Sequence, residues 1–71
     1  MEYLVVLEKT KTTIGAYVPD LPGCVAVGRT RREVLKLIRE AVVEHIEALR
    51  RADEPVPLST SQGEIIKIRA D

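Results

Sequence analysis

Residues 16–34, AYVPDLPGCVAVGRTRREV, decide how the chain folds, because two turn signals and a helix start are packed between short apolar runs. Pro22 presets its backbone angle for the second position of a type II turn, and Gly23 supplies the positive φ required at the third. LPGC is therefore read as a turn, with Asp20 expected to cap amides of its own loop. Cys24–Gly28 then reads as a short strand, Val25 and Val27 on one face and Cys24 and Ala26 on the other. Thr30 followed by Glu33 forms a capping box. The threonine hydroxyl takes the Glu33 amide, the glutamate reaches back to the cap, and a helix starts at Arg31.

Downstream, at 100° per residue, Val34, Leu35, Ile38, Ala41, Val42, His45 and Leu49 share one helical face, with Leu37 and Ile46 on its margins. That arc is wider than one small sheet needs, which leaves its margins for another surface. The helix should end near Arg51 or Ala52, since Pro55 and Pro57 prevent continuation. DEPVPLSTSQG, residues 53–63, is a linker long enough that it is expected to pack on something. EIIKIR, residues 64–69, reads as a last strand with Ile66 and Ile68 on one face and Ile65 and Lys67 on the other. Upstream, Tyr3–Leu7 and Thr13–Val18 are two further strands, Ile14, Ala16 and Val18 facing one way. The polar residues between them lack the Asn-Gly signature of a two-residue turn, so a longer loop is expected. The predicted class is α+β: an antiparallel sheet with one packed helix, in the order β-β-β-α-β, as a single domain over residues 1–71.

Composition narrows the function. A chain of 71 residues buries only about 60% of its unfolded surface, and folds this small rely on a disulfide, a metal or a partner subunit. One cysteine and one histidine exclude an internal disulfide and the common structural zinc patterns. Self-association, as a dimer or a tetramer, is the remaining route, and the last strand is free to pair within its own sheet or with a neighbour's. Eleven basic residues balance eleven acidic ones, which disfavours nonspecific nucleic-acid binding. The apolar run near the N-terminus is too short for a signal-peptide core or a membrane span, so a cytoplasmic protein with no membrane partner is expected.

Candidate chemistry is sparse. A nucleophilic Cys24 would need a base and a neighbouring cation, and His45, the one available base, fits better as a neutral imidazole with a single satisfied hydrogen bond. Glu40, Glu44 and Glu47 form a stripe on the opposite side of the helix, but a two-metal nuclease site needs converging carboxylates from strands as well, and the strands supply none. No catalytic, cofactor-binding or metal-binding residue is assigned. Arg29, Arg31 and Arg32 could face a partner's carboxylates, a phosphate or solvent.

The combination of Asp20-Leu21-Pro22-Gly23-Cys24, Gly28-Arg29-Thr30 with Glu33, and Pro55-Val56-Pro57 resembles the HicB family, the antitoxin half of HicA–HicB toxin–antitoxin pairs. The resemblance runs from the first strand to the proline linker. It implies a partial ribonuclease H-like fold and a non-enzymatic protein that occludes a small HicA-type RNA-cleaving toxin. Full-length members carry a DNA-binding domain after this region, and none follows in these residues, so direct DNA binding is not expected. Acids usual near the family's helix start are replaced here by Arg29, Arg31 and Arg32. Those arginines, with Leu37, Ile46 and Ile66, are the expected partner-binding residues. The alternative is a structural homo-oligomer without a toxin.

Overall fold

A computed structural model describes residues 1–69. Three strands, β1 (Val6–Lys9), β2 (Ile14–Tyr17) and β3 (Val25–Gly28), are followed by one helix, α1 (Arg31–Arg51). The sheet is an antiparallel meander in the order β1-β2-β3. Its register sets Val6 opposite Tyr17 and Tyr17 opposite Val25, then Leu7 opposite Ala16 and Ala16 opposite Ala26. Residues directly opposed across strands share a face. The Leu7–Ala16–Ala26 row therefore looks toward α1, and the Val6–Tyr17–Val25 row looks away.

The alternation in β2 works as expected: Ile14, Ala16 and Val18 are buried against Val34 and Ile38 of the helix, with Leu21 and Cys24 closing the cluster. Complete burial of a side chain such as Leu21 or Val34 contributes about 1.5–3 kcal/mol relative to exposure. The hairpin between β1 and β2 uses four residues, 10–13. Thr10 supports it from both ends, its amide donating to the Thr13 carbonyl at 2.9 Å and its hydroxyl accepting from the Thr13 amide at 3.0 Å.

Both helix ends are built from local side chains and backbone. Thr30 is the N-cap, and its hydroxyl accepts from the Glu33 amide at 3.1 Å. Glu33 reaches one residue further back than the sequence suggests, taking the amide of Arg29 at 3.3 Å rather than that of the cap. Gly28 makes this approach possible, since a Cβ there would lie 2.9 Å from the Val34 nitrogen. At the other end Ala52 is the C-cap. Asp53 then adopts φ 56° in the left-handed region. Its amide donates to Arg50 O at 3.1 Å and that of Glu54 to Leu49 O at 2.9 Å. That pair of bonds is a Schellman motif, closed two residues later by Pro55.

Three expectations are corrected. Ladder pairing in β1 begins at Val6, three residues after Tyr3, because the chain ahead of it packs its side chains on the core without strand hydrogen bonds. Ile46, placed on a free margin of the helix, is buried within its own chain at 8% exposure. The strand expected over residues 64–69 is not formed: among the described residues no backbone hydrogen bond joins this segment to the sheet, and Ile65, Ile66 and Ile68 are 96%, 72% and 79% exposed. A strand has no fold without a neighbour to complete its ladder, and this segment leads away from its own sheet. The Cα radius of gyration, 14.2 Å, accordingly exceeds the roughly 11 Å of a compact chain this long.

Candidate functional site

The DLPGC loop carries Cys24, the one candidate nucleophile, and its geometry is structural. Gly23 has φ 85° and the Cys24 amide donates to Leu21 O at 3.0 Å, as a type II turn requires. Cys24 is buried, and that burial pushes its thiol above the ordinary range. Thiolate, the reactive form, is correspondingly scarce. His45 is half-buried on α1, and Glu40, Glu44 and Glu47 are exposed. Among the described residues no group of three or more His, Cys, Asp or Glu side chains is arranged to hold a metal ion.

Asp20 has a role that short-range sequence reasoning missed. Instead of capping its own loop, its carboxylate accepts four hydrogen bonds from residues forty positions later. The Thr60 and Ser61 amides each donate at 2.9 Å, and their hydroxyls donate at 3.1 and 2.8 Å. Those bonds, the Ser61 amide foremost, hold the Asp20 carboxyl below its usual range. A second tie joins the Tyr3 hydroxyl to the Pro57 carbonyl at 2.5 Å. The proline linker is therefore a strap pinned across the end of the sheet, with Gly63 beside Leu4. Its run of Ser and Thr after two prolines was the available signal.

Among the described residues, two surfaces around the sheet are uncovered. The first is the sheet face turned away from α1, where Tyr17, Val25 and Val27 are 39%, 64% and 62% exposed. They surround a shallow depression of about 190 Å³ in which Glu8 is the one charged residue. The second arises because α1 lies across β3 and β2 rather than β1. Two depressions of about 400 Å³ each follow from this, one between the chain ahead of β1 and the helix, lined by Met1, Tyr3, Val5, Leu35, Val42, Glu2 and Arg39 among others, and one beside Leu7, Lys9, Ile14 and Arg31.

The expected partner-binding residues are distributed over these surfaces unequally. Arg29 and Arg32 are exposed just after β3, and Arg31 lines the depression beside Lys9. Leu37 is partly exposed on α1, Ile46 is buried, and Ile66 stands in solvent beyond the strap.

With this geometry in place, comparison with known proteins is decisive. The profile of HicB-like antitoxins of bacterial toxin–antitoxin systems matches residues 3–70. The chain belongs to the HicB-like antitoxin family. Among relatives of this HicB-like chain, a UPF0150 protein of Thermoplasma acidophilum is 38% identical over 65 residues, covering 87% of this chain and 91% of the relative. An uncharacterized 14.9 kDa protein from the rep-hol intergenic region of Haemophilus phage HP1 is 37% identical over 59 residues, covering 83% of this chain. The HicB-like chain spans 44% of that phage protein's length. No helix among the described residues is long and apolar enough to cross a membrane.

Proposed function

We propose that this chain is a non-enzymatic antitoxin that binds a small HicA-type toxin and covers its RNA-cleaving surface. Family membership across residues 3–70 carries the antitoxin reading, and the matched residues act as one binding unit. The uncovered sheet face supplies the place. Val6, Tyr17, Val25 and Val27 form a contiguous apolar area on a chain otherwise rich in charge, and such areas on small soluble proteins mark interaction sites. β3 is also a sheet edge, so its backbone donors and acceptors are open to a partner strand. Arg29 and Arg32 stand where β3 ends and meet carboxylates on the partner's rim. The inert, buried Cys24 supports a binding role over a catalytic one.

Titration calorimetry against a purified HicA-type toxin tests the reading. Tight stoichiometric binding is expected, with Val25→Asp/Val27→Asp abolishing it while the far-ultraviolet circular dichroism of the helix is retained. Absence of binding by the unaltered chain would contradict the antitoxin reading and favour a structural homo-oligomer.

A further inference from the structure

The balanced net charge conceals a segregation that the fold creates. Register places Lys9 opposite Ile14 and Ile14 opposite Gly28, a row that ends the sheet on the side of the hairpin. Arg29 follows Gly28 directly, and α1 begins two residues later at Arg31. Two depressions meet along this row, with Lys9 and Ile14 in the walls of both. One, of about 230 Å³, is lined by residues 9–14 and Arg29, and the other, of about 400 Å³, by Leu7, Lys9, Ile14 and Arg31. Lys9, Lys11, Arg29 and Arg31 are exposed, and neither lining includes an acid. The acids closest in sequence are engaged elsewhere: Glu8 lines the depression on the outer face, and Glu33 accepts the Arg29 amide.

We propose that this cationic pole binds the phosphate backbone of a single RNA strand, with Lys9, Lys11 and Arg31 as the phosphate-contacting residues and no discrimination among bases. Its composition favours phosphate over a protein's carboxylates. The core of a protein interface is depleted in charge and enriched in aromatic residues, whereas the exposed residues here are lysine, arginine and threonine, with Ile14 buried beneath them. Lysine, arginine and threonine hydroxyls are the side chains that hold nucleic-acid phosphates. β1 and β3 lie two inter-strand spacings apart, about 10 Å, so cations flank the row from both sides. They line concave ground, which a flexible strand enters and a stiff duplex only bridges.

Bases are not read because the pole has no stacking platform. Tyr3 is bonded to the strap at Pro57, and Tyr17 lies on the outer face of the sheet. Contact limited to phosphates tolerates any sequence and depends steeply on salt. Arg29 stands at the boundary with the exposed edge of β3 and is left to the toxin's rim. The choice of RNA as the strand rests on the antitoxin role proposed above, while the phosphate contact follows from the pole alone.

Fluorescence anisotropy of a labelled oligouridine of about 20 nucleotides, titrated with this chain in the absence of toxin, tests the proposal. Binding is expected at about 10–100 µM in low salt, with log K falling against log salt at a slope of about −2, or about −0.7 for each of three phosphate contacts. Lys9→Gln/Arg31→Gln should weaken binding at least about tenfold and flatten the slope to about −0.7. Arg50→Gln/Arg51→Gln removes the same charge from the last turn of α1 and should change neither quantity. All four side chains are exposed, so both variants should keep the helical signal. No binding by the unaltered chain, a slope near zero, or equal losses in the two double variants would overturn the proposal. Displacement of the RNA by an equal concentration of polyglutamate of the same length would also overturn it, assigning the pole to an acidic protein segment. A chain that silences a toxin yet fails to bind RNA would lose this proposal and keep the antitoxin role.

Discussion

Replacing Gly28 by alanine isolates the contact on which the helix is mounted. The new Cβ would lie 2.9 Å from Val34 N, 3.2 Å from Val34 Cα and 3.2 Å from Glu33 Oε1. Two of those three atoms are backbone in the first helical turn, so no rotamer change relieves the contact. The start of α1 must lift from β3, disturbing the Thr30–Glu33 bond and the seat of Val34, which is fully buried. Overpacking of this kind costs about 1–3 kcal/mol. Against it stands the reduced entropy of the unfolded chain, which favours alanine over glycine by about 0.4–1 kcal/mol. The net expectation is a destabilisation of about 1–2 kcal/mol, or roughly 5–15 °C in Tm for a domain of this size. Gly15→Ala is the control, because its Cβ would meet one atom, Glu8 O, at an ordinary 3.9 Å. It should be neutral or stabilising by about 0.4–1 kcal/mol. Urea unfolding at one fixed protein concentration reads both, the concentration being held because self-association shifts apparent stability. A Gly28→Ala variant as stable as Gly15→Ala would refute the close-approach reasoning.

Asp53 occupies the left-handed position of the Schellman motif and puts a carboxylate at the negative end of the helix dipole, so Asp53→Gly should stabilise by about 0.5–1 kcal/mol in the same unfolding assay. Asp20 gives the strap an acid sensitivity. Because its folded pKa lies below the unfolded value, the stabilisation is present above about pH 4 and is lost as pH falls through the depressed folded value. The protection of the Thr60 and Ser61 amides relative to their intrinsic exchange at the same pH should fall over that acid range, and in Asp20→Ala it should be low at every pH. The Cys24 thiol should react with a disulfide reagent at neutral pH far more slowly in the folded chain than in denaturant, and fast reaction in the native state would contradict its burial.

Features governed by neighbours in sequence were legible from it. The Pro22-Gly23 turn, the Thr30 cap, the inward face of β2 and the end of α1 each depend on residues a few positions apart, where backbone angles and hydrogen bonds are set by residue type. Features governed by distant residues were not. Asp20 has the residue type of a loop cap, and nothing local reveals that Thr60 and Ser61 offer it four donors. Ile46 lies on the margin of the helical arc, but whether a margin is covered depends on where the rest of the chain runs. Residues 64–69 have a strand's alternation, yet a strand forms only where an edge is within reach, and the strap directs this one outward. The partner-binding residues were hardest to read, because an exposed arginine such as Arg32 and one lining a depression, such as Arg31, look alike in sequence.

In the function proposed above, this chain silences a toxin by covering its RNA-cleaving surface with the outer face of the sheet. It is tested by an RNA-cleavage assay of a HicA-type toxin, titrated with this chain and with the Val25→Asp/Val27→Asp variant. Cleavage should fall to background at a stoichiometric ratio of the unaltered chain and persist with the variant. Cleavage that continues in excess of the unaltered chain, or inhibition by the variant equal to that of the unaltered chain, would contradict it.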